Sequence, residues 1–267
     1  MVSSRKTAFA GNPTVHDPVV ELLLGSLPDA ACEAELVDIR VGPFWTVVQT
    51  TRGTGMASTM SREAHPHASF PVADAGRLHE RTPLELAAMT RSSSVTEAAI
   101  GLAAVNAMLP EPQGEIEEGN ALEVILSHGQ GGRVAVIGHF PFVDRLGPRC
   151  AELWVFERGT ARQPGDHGAE DMPELLPRAD VVAITATTLV NHTLSSVLSL
   201  VREHTFTLIL GPSTPLAPVL FDLGVHVLCG SLVTDAEAVL REASQGAVTR
   251  QVRGVRRVNL RGGHVRG

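Results

Sequence analysis

Gly138, His139, Phe140 and Pro141 follow directly on the apolar run 134–137, which reads Val-Ala-Val-Ile. Such a run suits a strand buried on both faces, the mark of a parallel α/β sheet, and ligands of these sheets sit where the strands end. In that loop His139 could serve as a metal ligand, a general base or a stacked imidazole. Two further loops carry hydroxyls in the same setting. One holds Thr185, Thr187 and Thr188, with Asn191 and His192 one turn on; the other is Gly211, Pro212, Ser213, Thr214 and Pro215. Hydroxyls ahead of a helix can join its free N–H groups around a phosphate or carboxylate, and they can equally act as plain N-caps.

Glu157 stands nineteen residues beyond Gly138, near the place where dinucleotide folds keep an acid for the ribose. The glycine fingerprint of those folds is missing. GHFPFVDRLG offers only Gly138 and Gly147, and Pro141 removes a backbone donor, so a conventional NAD site is disfavoured while adenosine-type ligands stay open. Asp166 and His167 lie in PGDHG, either a turn or a lid or metal contact. His65, Pro66 and His67 form an HxH, with His79 further on; in a proline-interrupted loop this reads first as surface histidine. Asn106 sits on an apolar helical run, where it must hydrogen-bond a neighbouring loop or reach into a shared cleft.

The elements that must hold these residues are legible in outline. Asp17 and Pro18 open an apolar stretch that suits a first helix and stops between Gly25 and Pro28, and 35–41, 44–50 and 55–59 suit an antiparallel meander broken at Gly42-Pro43 and Arg52-Gly53. Thr82, Pro83 and Glu85 make a capping box, and Ser94 with Glu97 repeats the pattern before a helix rich in Ala and Gly, which another backbone could approach closely or a second copy could cover in a homodimer. Strands at 133–137, 153–157, 181–185, 207–210 and 225–229 alternate with helices. This gives an α/β fold: a five-stranded parallel sheet of order 2-1-3-4-5, preceded by a smaller α+β domain. The boundaries are 1–112 for the α+β domain, 113–247 for the sheet domain after a Pro- and Glu-rich linker, and 248–267 for a basic tail.

Composition removes several functions. The chain of 267 residues is 43% hydrophobic and 19% charged, which is globular, and its net charge of −7 argues against a general nucleic-acid role. Arg250, Arg253, Arg256, Arg257, Arg261 and Arg266 follow the last acid, Glu242, and read as a solvated tail or a seat for an anionic partner. Lys6 is the single lysine, so P-loop hydrolysis and Schiff-base catalysis lack their lysine. Cys32, Cys150 and Cys229 are far apart and show no CxxC, so neither a zinc ribbon nor a disulfide framework is expected. No apolar run reaches membrane-spanning length, and the expected setting is cytoplasmic.

VAVIGHFPF, ADVVAITATTLVNHTL, LILGPSTPLAPVLFDLGVHVLCGSLV and EAAIGLAAVNAML together resemble the heavy-metal-chelation family over nearly the whole chain. The resemblance implies a domain similar to the enolase N-terminal domain, then a Rossmann-like domain, with a cleft between them and a role in metal chelation or metallocofactor biosynthesis. The matching positions are Gly138, His139, Phe140, Pro141, Glu157, Asp166, Thr187, Thr188, Asn191, Gly211, Pro212, Ser213, Thr214, Pro215 and Gly230, with Glu97 and Asn106 in the first domain; His65, His67 and His79 are not among them.

Two functions follow. In the first, the protein handles a transition metal ion or metal complex in the interdomain cleft, with His139 and Asp166 as metal ligands. In the second, it is an enzyme that binds an adenosine-type or phosphorylated small molecule, with Glu157 on a ribose and the Thr187 and Ser213 loops on anionic groups. Whether any reaction is catalysed stays open.

Overall fold

The structure, a computed structural model, describes residues 12–60, 71–112, 116–158 and 162–262. Helix α1 (Pro18–Gly25) starts where Asp17 accepts a hydrogen bond from Val19 N at 2.9 Å. Strands β1 (Leu36–Val41), β2 (Trp45–Thr50) and β3 (Thr54–Ser58) form the expected antiparallel meander, with Val47 opposite Met56.

Helix α2 (Pro83–Ala88) carries the expected capping box: the Thr82 hydroxyl accepts from Glu85 N, and the Glu85 carboxylate accepts from Thr82 N. The second box, expected ahead of α3 (Val95–Met108), does not form. Glu97 is buried and turns outward from the helix end, accepting from Ala73 N at 2.8 Å and from Ser92 Oγ at 2.5 Å. A buried carboxylate needs strong donors, and the neighbouring segment supplies them.

Within α3 all residues except Val95 and Asn106 are buried. Gly55 lets β3 run against the helix: a Cβ there would lie 2.2 Å from the Ala103 carbonyl oxygen and 2.3 Å from Ala107 N. The helix surface offered above for a homodimer is therefore already covered by this chain.

The second sheet is built from β4 (Ile116–Glu118), β5 (Arg133–Ile137), β6 (Glu152–Phe156), β7 (Val181–Thr185), β8 (Phe206–Leu210), β9 (Val227–Val233) and β10 (Val255–Arg261), in the order β4-β10-β9-β8-β7-β5-β6. The pairings β6-β5, β5-β7, β7-β8 and β8-β9 are parallel, whereas β10 is antiparallel to both β9 and β4. Its helices are α4 (Ala121–Gly129), α5 (Val143–Leu146), α6 (Met172–Leu175), α7 (Thr187–Val190), α8 (Leu194–Leu198) and α9 (Ala236–Ser244). Alternation along the strands sorts the core. Val134, Val136, Val181 and Ala183 pack with Leu122 and Ile125 of α4, while Ala135, Ile137, Val182 and Ile184 share a core with α3.

The sheet thus has seven strands where five were expected. The two additions come from stretches read as a linker and a basic tail. Val258 and Leu260 of β10 are buried, while Arg256 and Arg261 pair with Glu118 and Glu117 of β4. The local charge density hides a strand whose partners lie about 140 residues earlier. Among the described residues no helix is long and apolar enough to cross a membrane.

Candidate functional site

The chain leaves β5 toward β6 on one side and later returns to β7 on the other, so the loop after Ile137 opens where the sheet order reverses. Gly138 makes that exit. Its φ of +98° is a left-handed conformation that L side chains resist, and a Cβ would stand 3.1 Å from Thr185 Cγ2. The tight crossing places the loops after β5 and β7 side by side.

His139 follows, tied at two points. Its backbone N–H donates to Glu157 Oε2 at 2.9 Å, and its Nδ1 lies 3.2 Å from Asp166 Oδ2. The Asp166 side chain is 6% exposed and that of His139 22%. Asp166 reaches the site because residues 166–168 run beside β6: His167 N donates to Val155 O at 2.7 Å, and Glu157 N to His167 O at 3.1 Å. Gln163 N donates to the same Asp166 oxygen at 2.9 Å. An ionised carboxylate can only accept, so Nδ1 of a neutral His139 carries the proton and Nε2 keeps a free lone pair. The Phe140 and Phe142 rings stack at 5.1 Å with planes 8° apart and pack, half-buried, against the core on the α4 side, and Pro141 is exposed.

The other expected site residues divide. Thr187 and Thr188 lie on α7, a helix of only four residues whose N-cap, Ala186, has no capping side chain. The Thr188 hydroxyl donates to Thr185 O at 2.6 Å, and the Thr185 and Thr187 hydroxyls are 3.0 Å apart. Asn191 Oδ1 accepts from Thr193 Oγ1 at 2.6 Å. These contacts all stay within the turn.

The 211–215 loop does not open a helix at all; a 3-10 segment, Pro218–Leu223, follows later. Ser213 and Thr214 are buried. The Ser213 hydroxyl accepts from Ser58 N at 2.8 Å and donates to Ser58 Oγ at 3.2 Å. Asn106 Nδ2 donates to Met56 O at 3.0 Å and to Ser213 O at 3.1 Å. Asn106 therefore clamps β3 to the loop whose left-handed exit is Gly211. The expected convergence of three loops on one cleft does not extend to Ser213, which is bonded to β3, while Thr214 Oγ1 is buried without a partner; the open group is the one around His139. Each Glu157 oxygen accepts one backbone hydrogen bond, from His139 N at 2.9 Å and from Arg158 N at 2.7 Å, so the carboxylate expected on a ribose braces the His139 loop.

His65, Pro66 and His67 lie outside the described residues, and His79 is exposed in a short turn. Among the described residues no three His, Cys, Asp or Glu side chains are placed to hold a metal ion together. The described cysteines are free. Cys229 is buried and its thiol is pushed up to about 12 by desolvation, whereas Cys32 is exposed. Ellman's reagent near pH 8 should thus label Cys32 in the native protein and Cys229 only after denaturation; prompt labelling of native Cys229 would contradict the packing of β9.

Two residues take roles that the sequence does not foretell. His167, expected with Asp166 in a turn or a lid or metal contact, has the backbone that carries Asp166 to His139. His192 has φ +57°, donates from Nε2 to Ser92 O at 2.8 Å, and leaves Nδ1 buried without a partner. No local pattern announces either role; a positive φ at a non-glycine residue is visible only in the backbone.

Two family profiles, each described as "Putative heavy-metal chelation", match residues 26–109 and 120–261. An uncharacterized protein of Methanocaldococcus jannaschii is 27% identical over 240 residues, covering 85% of this chain and 89% of that one. A protein of unknown function from the DUF364 family of Desulfitobacterium hafniense superposes with a TM-score of 0.78 at 25% identity, covering 91% of this chain and 97% of that chain. A DUF364 protein of unknown function from Pyrococcus horikoshii gives 0.75 at 24% identity, covering 90% and 99%, and shares the fold. With both profiles matched across its length, the chain belongs to the heavy-metal-chelation family that they define.

Proposed function

We propose that the protein handles a transition-metal complex at the mouth of β5, with His139 Nε2 as its protein ligand. The observation that carries this reading is the Asp166 contact to Nδ1. A carboxylate on one imidazole nitrogen fixes the tautomer and raises the basicity of the other, the outer arrangement found behind metal-bound histidines. Asp166 is then an orienting partner and not a second ligand, a change from the pair of ligands expected above. A bare ion would find too few side chains here, so the metal arrives with ligands of its own. The Phe140–Phe142 pair offers apolar ring surface to the organic part of such a complex. On this reading the site belongs to the expected Rossmann-like part of the chain, at the carboxyl end of β5, and suits a role in metallocofactor supply.

The test is a calorimetric titration of native protein with Ni2+–nitrilotriacetate, which leaves metal positions open for an imidazole. One complex should bind per chain at this site. Asp166→Asn presents an amide that can donate toward Nδ1 and favour the wrong tautomer, and affinity should fall by about 10- to 100-fold. An unchanged isotherm would remove the orienting role.

A further inference from the structure

A second feature lies away from His139, on the far side of the sheet order. A cavity of about 300 Å³ opens between β2, β3, the 211–215 loop and the β9–β10 pair. Its apolar wall is the Trp45 ring, Met56, Pro212, Val252 and Val255, and its polar wall is Ser231, Thr249 and Arg257. Register explains how the strands contribute. Arg257 is opposite Ser231 and Val255 is opposite Val233, so these residues project to one face of the β9–β10 pair, while Arg256 projects to the other.

The charges on this arm are unevenly used. Arg253, Arg256 and Arg261 are paired with Glu242, Glu118 and Glu117. Arg257 has no ion pair among the described residues, and no carboxylate lines the cavity. Trp45 is 5% exposed, and its indole Nε1 is buried with no hydrogen-bond partner. An indole N–H and a guanidinium can only donate. That N–H has no accessible surface, so the cavity meets the Trp45 ring and not its donor; what the cavity pairs is the exposed, unmatched Arg257 cation and an apolar wall, in a protein whose net charge is −7.

We infer that this cavity binds a small organic carboxylate, its anionic end held by Arg257 and its apolar body against Met56, Pro212, Val255 and the Trp45 ring. One cation suits a monoanion, and a guanidinium meets a carboxylate through two parallel bonds. The volume is at the small end for ligand pockets, enough for a single ring with a short acidic arm. The inference does not depend on the metal reading, because the cavity contains no part of the His139 group.

The chain has two tryptophans, so Trp154→Phe leaves Trp45 as the sole indole reporter. In metal-free buffer containing a chelator, phenylacetate is titrated while Trp45 fluorescence is followed, with phenylacetamide and inorganic phosphate as comparison probes. Phenylacetate should saturate the signal, phenylacetamide should bind at least about tenfold more weakly, and Arg257→Gln should cost about tenfold or more. Inorganic phosphate should neither change the signal nor compete. No response to phenylacetate up to about 10 mM, equal binding of the amide, or full affinity in Arg257→Gln would each overturn the inference. Competition by phosphate would overturn the requirement for an apolar body.

Discussion

His139→Ala is expected to abolish the specific uptake of Ni2+–nitrilotriacetate, a loss beyond the roughly 100-fold that removal of an outer partner can cause. The chain has eleven histidines, so the relevant quantity is the difference between native and variant isotherms. Among the described residues the alanine variant also leaves the Asp166 side chain with Gln163 N as its remaining donor, which should lower stability by about 1–3 kcal/mol. His139→Asn separates the two effects: its amide can still donate toward Asp166 but is a poor ligand for a borderline metal. Both variants should lose uptake, and the asparagine variant should melt closer to the native protein. Retained uptake in the asparagine variant would transfer the ligand role elsewhere.

Gly55→Ala is expected to destabilise the protein by about 3 kcal/mol or more, the upper range for overpacking. The new methyl would meet the backbone of α3 at Ala103 and Ala107, not a side chain that can rotate away. Neither partner can yield, because α3 is buried on its other faces and β3 is held by Asn106 and Ser213. For a protein of this size the melting temperature should fall by about 10 °C. Gly25→Ala is the control, since nothing lies within 4 Å of a Cβ at that position, and its effect should be within about 0.5 kcal/mol. Equal effects of the two changes would mean that the close approach of β3 to α3 is not rigid.

Much of this arrangement was legible because it is local. The run 134–137, the Thr82 capping box and the meander turns are set by neighbours in sequence, and they appear where hydrophobic pattern and turn chemistry put them. His139 and Asp166 were both marked as candidates, but their contact required the 166–168 stretch to lie along β6, which no periodicity encodes. Ser213 shows the opposite case. A hydroxyl beside glycine and prolines looks the same whether it meets an anion or Ser58, 155 residues earlier in the chain. Strand β10 was hidden by its arginines, which read as solvated charge until Glu117 and Glu118 are placed across from them.

The central claim is that His139 Nε2 reaches a metal while Asp166 holds Nδ1. Pulsed electron paramagnetic resonance on native protein with one equivalent of Cu2+–iminodiacetate reads this directly, because a coordinated imidazole modulates the echo through its remote nitrogen. The account predicts modulation from a single imidazole in the native protein, absent in His139→Asn and altered in Asp166→Asn. Imidazole modulation that persists unchanged in His139→Asn, or none in the native protein, would contradict it.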